Sequence, residues 1–366
     1  MEPDFWKSPS GSVSEEKVES RSTRARSFIL IHGGGVCDEE ELSESRRARD
    51  QSVLLQLKLT KIRSPVFISL HLLNFNISFQ QLVDPKKTSD IIIPTIFTGR
   101  QYKTICQRWN NKYRFATVYD TERRIPIYSA YTFSGKNMTK RSDEWKIEPQ
   151  LENIEEYEDL KEMIDSPREA GKIVNQAVSS DYTGTGFTRG HVFPYQFAAN
   201  QDQADSTFTL TNVAPQTADS NQEWAAQVEE PMLNEIHQSC RLDQNNKAYI
   251  VTGVVPGKNW INITRDGEVN QKGINIPSHF WSAYYCRNKT DYKKIIEKTY
   301  LAELDKFNLR HPDINNLNRR LSDLYSDVGC IKKGISFYVF PGLDLDNYHV
   351  DLTDPSQVQI RYETDL

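Results

Sequence analysis

The sequence predicts an α+β fold, and three observations carry that prediction. Short β-prone runs cluster in pairs instead of alternating strictly with helical patterns, which argues against a doubly wound α/β sheet. Helical patterns form separate runs of their own. Hydrophobic residues make up 37% and aromatics 11% of the 366 residues, enough to bury a sizeable core.

The elements follow in chain order. Residues 1–62 are rich in Ser, Glu and Arg, with basic clusters at Arg21, Arg24, Arg26 and at Arg46, Arg47, Arg49, broken by one apolar island from Phe28 to Ile31. That composition reads as an irregular, flexible extension, and with the transitional stretch after it the extension covers 1–90. From about Ile91 the texture changes to β-prone segments, so the folded domain is placed at 91–366. Tyr113–Tyr119 and Ile125–Phe133 read as two strands of a hairpin turning at 120–124. Residues 151–179 alternate acidic and apolar positions at helical spacing and predict one or two helices. Thr207–Val213 is β-rich. Asn221 suits the N-cap of a helix running to about His237, because its side chain accepts bonds from first-turn amides. Ala248–Val255 and Ile276–Tyr285 read as buried strands, 291–308 and 314–326 as helices, and Ser336–Phe340 as a last strand.

The formal charge of −5 does not advertise a nucleic-acid binder, although a basic cleft on an acidic protein is compatible with it. Cys37, Cys106, Cys240, Cys286 and Cys330 are too dispersed for a zinc motif, and the four downstream ones suit two disulfides. Asn76, Asn137, Asn262 and Asn288 begin glycosylation sequons, which lean toward secretion. The first thirty residues carry no signal-peptide pattern, and no segment is apolar for long enough to span a membrane.

Chemistry concentrates at 188–229. His191 is suited to act as a general base near neutral pH, and Gly190 beside it permits a tight turn. Arg189 offers a forked donor for phosphate oxygens. Asn221 presents a neutral amide oxygen to a hard cation such as Mg²⁺, which keeps most of its waters. Glu229 lies two turns along the same predicted helix, within reach of such a cation's waters. Asn212 is placed to bond the phosphate or the histidine's surroundings. Taken singly, each has a blander role: solvated turn, helix cap, strand end. The motif at His32-Gly33-Gly34-Gly35 looks like an esterase oxyanion loop, but no Gly-x-Ser-x-Gly elbow accompanies it. Gly184-Thr185-Gly186 lacks the Lys-Ser/Thr ending of a phosphate-binding loop.

Together, Arg189-Gly190-His191, the Thr211–Gln216 block and Asn221-Gln222 before Trp224 resemble the DNA/RNA non-specific endonuclease family of ββα-metal (His-Me finger) nucleases. Tyr113–Tyr119, Arg124–Tyr131 and Trp281–Tyr284 look like a vertebrate branch of that family. The resemblance covers roughly 91–342. It implies a central antiparallel sheet flanked by helices and metal-dependent, sequence-nonspecific hydrolysis of DNA and RNA, with Mg²⁺ or Mn²⁺ as cofactor and the phosphate backbone as partner. It assigns His191 as general base, Asn221 as the sole direct metal ligand, Arg189 and, more weakly, Arg124 as phosphate contacts, Glu229 as holder of a metal-bound water, and Asn212 as an orienting residue. It also implies secretion. Two departures stand out. Thr188 replaces the Asp that commonly begins the motif, which motivates an alternative: a nuclease fold that binds nucleic acid or protein with weakened catalysis. Trp224 lies three residues after Asn221 instead of four, which leaves Glu230 as a rival to Glu229. A third reading is a phosphodiesterase for another ester.

Overall fold

The computed structural model describes residues 94–341 apart from 136–138, 244–245, 266 and 292. The expected extension over 1–90 and the His32 motif lie outside the described residues. The strands are β1 (Tyr102–Trp109), β2 (Lys112–Asp120), β3 (Ile125–Phe133), β4 (Lys146–Ile147), β5 (Ile164–Asp165), β6 (Phe187–His191), β7 (Val213–Thr217), β8 (Ala248–Val255), β9 (Asn259–Arg265), β10 (Glu268–Ile276), β11 (His279–Arg287), β12 (Ile295–Glu303) and β13 (Asn308–Arg310). The helices are α1 (Gln201–Ser206), α2 (Ala218–Trp224), α3 (Glu230–Ser239) and α4 (Ile314–Asp327).

Seven strands form one antiparallel sheet in the order β1-β2-β3-β8-β11-β12-β13. Successive side chains point to opposite faces, and β11 uses both. Phe280 and Tyr284 join the core on one face, Trp281 and Ala283 the core on the other. The first core receives Trp224, Val228, Met232, Leu233 and Ile236 from the α2–α3 region. The second receives Ile314, Leu317, Leu321 and Tyr325, one apolar stripe of α4. Each buried Leu or Ile there contributes about 1.5–3 kcal/mol. Asp313 caps α4 by accepting from the Asn316 amide at 2.8 Å. This is an α+β fold with helices on both faces of a central antiparallel sheet.

Four expected elements are different in the structure. Residues 151–179 are not helical: they hold a 3₁₀ turn at Glu155–Tyr157 and the short β5. Side chains satisfy this backbone instead. The Glu152 carboxylate accepts from the Val174 and Asn175 amides, and Gln176 bonds both the amide and the carbonyl of Glu148. The 291–308 region is strand β12, because its Ile and Thr positions suit an extended ladder between β11 and β13. Residues 207–213 are not a strand: Leu210–Asn212 is a 3₁₀ turn and β7 starts at Val213. Residues 336–340 form no strand, yet Phe337, Val339 and Phe340 are buried against α4's core.

Cys240, at the C-terminal end of α3, is disulfide-bonded to Cys286 on β11. Cys106 is also disulfide-bonded, whereas Cys330 is a buried free thiol, so two bridges among the four downstream cysteines do not form. Among the described residues no helix is long and apolar enough to cross a membrane. The Cys240–Cys286 bridge closes a separation of 46 residues. Replacing both cysteines with Ser should lower the unfolding free energy by about 2–4 kcal/mol, read from urea unfolding curves.

Candidate active site on a strand–strand–helix unit

β6 and β7 pair antiparallel, with Thr188 opposite Gln216 and His191 opposite Val213, and the chain then enters α2. Thr217 caps α2 by accepting from the Ser220 amide at 3.2 Å. Asn221 is therefore not the N-cap; it sits inside the first turns of the helix. Helix α2 packs against both strands, so the His191 strand and the Asn221 helix are neighbours. Ser220, Trp224 and Val228 are buried, and Asn221 flanks that stripe, half-buried. Among the described residues no hydrogen bond engages its carboxamide.

Between α2 and α3 the helix widens into a π turn over Ala225–Glu229, closed by the Glu230 amide on the Ala225 carbonyl. Pro231 explains it. Proline has no amide to bond the Gln227 carbonyl, and its ring would press on that group in a regular helix. The turn also matters for geometry. Eight regular residues would leave Glu229 about 80° round the helix from Asn221; a wider turn takes up the excess and swings Glu229 back toward Asn221. Glu230 is exposed, while Glu229 is half-buried. Burial, and then the Glu230 charge, push the Glu229 carboxyl up to about 8, with the Trp224 indole pulling the other way. Glu229 is the inward carboxyl of the two.

Arg189 and His191, two apart on β6, share one face of the strand. The His191 ring meets Phe208 edge-on at 4.8 Å, Trp145 at 5.5 Å and Tyr195 at 6.5 Å. Its Nε2 is enclosed without a hydrogen-bond partner. Burial, with Arg141 second, lowers its pKa to about 3, so the ring is neutral at physiological pH. Arg189 lies over the Trp145 and Tyr182 rings at 4.9 and 5.2 Å. Its Nη2 donates to the Ser179 carbonyl at 2.6 Å and hydroxyl at 2.9 Å, while Nε is buried and unpartnered. No carboxylate pairs with it among the described residues. A half-buried guanidinium without a counter-ion favours an anion.

Asn212 is fully buried and committed. Its Oδ1 accepts from the Ser129 hydroxyl at 2.9 Å and the Phe193 amide at 3.0 Å, and its Nδ2 donates to the Phe193 and Thr207 carbonyls, each at 3.0 Å. It has no donor left for a phosphate. Instead it fixes Phe193, two residues beyond His191, to the sheet. Arg124 Nε donates to the Val174 carbonyl at 2.8 Å and Nη1 to the Gly273 carbonyl at 3.0 Å, which joins the β2–β3 turn to residue 174 and β10. The Thr188 hydroxyl donates to the Gln216 carbonyl at 3.0 Å. Gly190 is needed because a Cβ there would fall 2.0 Å from Gln216 Oε1.

The model of the family described as DNA/RNA non-specific endonuclease matches residues 95–325, well over half of the chain. The chain belongs to the DNA/RNA non-specific endonuclease family. The human Endonuclease domain-containing 1 protein is 33% identical over 197 residues, covering 53% of this chain and 36% of that protein. Its mouse counterpart is 27% identical over 226 residues, covering 57% and 42%. The chain thus spans about two fifths of the length of these curated relatives. A chain in the crystal structure of the EndoG/EndoGI complex superposes with a TM-score of 0.36 and 16% identity, over 58% of this chain and 83% of that one.

In this endonuclease-family chain, sequence reasoning missed Trp145, Phe208 and Arg141. Each reaches the histidine across a long loop, and no local spacing marks them. The neutral His191 has a consequence for stability. Its folded pKa lies below the ordinary 6.5, so between pH 6.5 and about 3 the unfolded chain takes up a proton that the folded chain does not. Stability from this group is full above pH 6.5 and is lost as pH falls toward 3. Wild type should therefore lose more stability than His191→Gln between pH 6.5 and 3.5 in matched urea titrations.

Proposed function

We propose that the chain is a metal-dependent endonuclease that hydrolyses phosphodiester bonds of DNA and RNA without sequence preference. The observation that carries the reading is the juxtaposition on β6 of a neutral imidazole with an unpartnered Nε2 and a guanidinium with an unpartnered Nε. Buried polar atoms without partners are costly and concentrate where a ligand supplies the missing bond. Neutral His191 Nε2 takes the proton of the attacking water. Arg189 Nε donates to a non-bridging phosphate oxygen, where negative charge grows in the transition state.

The donor set fits a hard, hydrated cation. Among the described residues no three His, Cys, Asp or Glu side chains gather as a metal cage. A Mg²⁺ or Mn²⁺ ion needs no such cage, since it retains waters and accepts few protein ligands. Asn221 would hold it through its free carboxamide oxygen, and Glu229 would bond its waters. A nearby cation draws the Glu229 pKa down and restores the carboxylate. When bound, the ion supplies Lewis-acid stabilisation of the scissile phosphate and the leaving oxygen. The same chemistry suits DNA and RNA because it addresses only the shared backbone.

One observation favours a second reading, a nuclease fold that binds nucleic acid or protein with weakened turnover. Thr188 offers a hydroxyl, already bonded to the Gln216 backbone, where a carboxylate would help order the metal's waters. Plasmid nicking separates the two. The first reading expects nicking that depends on added Mg²⁺ or Mn²⁺, disappears with EDTA, and falls by about 10²–10⁴-fold in His191→Ala. The second expects nucleic-acid or protein binding without turnover, with cleavage emerging in Thr188→Asp. Absence of metal-dependent cleavage in wild type across a wide pH range would sink the enzyme reading.

A further inference from the structure

Among the described residues, Trp145 is the side chain that stacks against both Arg189 and His191. The guanidinium carbon lies 4.9 Å from the indole centre, and the imidazole centre 5.5 Å away at a 42° tilt. Phe208 touches Trp145 at 5.4 Å and closes the other side of the imidazole. The indole stands on a fixed backbone. The Ser166 amide donates to the Trp145 carbonyl at 2.7 Å, and the Lys146 amide donates to the Phe208 carbonyl at 2.8 Å. The Thr209 hydroxyl donates to the Lys146 carbonyl at 3.3 Å, and the Lys146 ammonium packs over the Trp109 ring at 4.7 Å. Residues 145 and 146 are therefore tied on one side to 166 and on the other to 208–209.

A guanidinium laid on an aromatic face keeps its N–H edges free for an oxyanion while its plane is set. Ser179 holds Nη2 of Arg189, which among the described residues leaves Nε and Nη1 without a partner while the indole sets the plane. An imidazole walled by aromatic surface is held in one orientation, with its enclosed Nε2 left without a partner. Reaction rates are sensitive to such placement, since a shift of about 1 Å costs on the order of 100-fold.

We propose that Trp145 is a positioning residue of the active site, its indole setting the plane of Arg189 and the orientation of His191 together. A phosphate oxygen then meets Arg189 Nε while the attacking water meets His191 Nε2. The inference rests on the nuclease reading above, and its test keeps the two apart. Trp145→Phe retains an aromatic face; Trp145→Leu removes it, with Trp145→Met in its place if the leucine variant does not fold. Plasmid-nicking kinetics in Mg²⁺, melting temperature and the NMR titration of the His191 ring are measured on each. The leucine variant should raise KM and lower kcat, with kcat/KM down ~10-fold or more, and its His191 should titrate closer to an ordinary histidine. The phenylalanine variant should recover most of both. Arg141, the charged group recorded against the imidazole, is unchanged in every variant.

Equal kinetics in the phenylalanine and leucine variants, or losses that track melting temperature while the His191 titration stays put, would overturn the assignment. If wild type does not cut at all, the nuclease reading fails by itself. The Trp145 assignment is then decided by the His191 titration: moved in the leucine variant but not in the phenylalanine one supports it, and unmoved in both overturns it.

Discussion

The site depends on one buried carboxamide. Asn212 uses both lone-pair directions of its oxygen and both N–H groups of its nitrogen, and thereby binds β3, the chain after His191 and the turn at Thr207 into one body. Its partner Ser129 continues a polar ladder through Thr117 to Gln107, and Gln107 returns to Thr211, next to Asn212. With every donor and acceptor of its carboxamide used, Asn212 fixes where β6 ends relative to the sheet, and so where His191 stands.

The groups left open on β6 and α2 lie beyond that carboxamide. Arg189 Nε and His191 Nε2 have no partner, and the Asn221 carboxamide makes no bond among the described residues. The contrast separates groups that hold the site from groups the site presents. Asn212 belongs to the first kind, despite a residue type that suits phosphate binding. The aromatic wall of Trp145, Tyr195 and Phe208 connects the two sets. Trp145 packs on the main core, and burial among these rings leaves the imidazole neutral.

Much of this was legible in the sequence. The 188–229 run holds the helix after Asn221 and the open groups, whose spacing is local enough to carry meaning, whereas its two strands, Phe187–His191 and Val213–Thr217, were not read there. The β2–β3 hairpin and α4 were legible for the same reason. What was hidden depends on distant partners. Strand β12 reads as a helix until β11 and β13 are on either side of it, and 151–179 reads as helix because Glu152 and Gln176 stand in for backbone partners invisibly. The carbonyls that Arg124 bonds were hidden because they come from its own turn and from the distant segments at Val174 and Lys272–Gly273. Where Glu229 lies relative to Asn221 was hidden for a definite cause: Pro231 favours the π turn at Ala225–Glu229, and periodic patterns assume a constant winding.

On the proposed reading, Asn221 on α2 and His191 on β6 face one another across a site for a hydrated cation. Anomalous diffraction from a crystal of the protein soaked in Mn²⁺ tests it most directly. The expected result is a manganese peak at the Asn221 carboxamide oxygen, on the side of the helix toward His191, with Glu229 reaching it through water. A peak held by other residues, with nothing at Asn221, would contradict it.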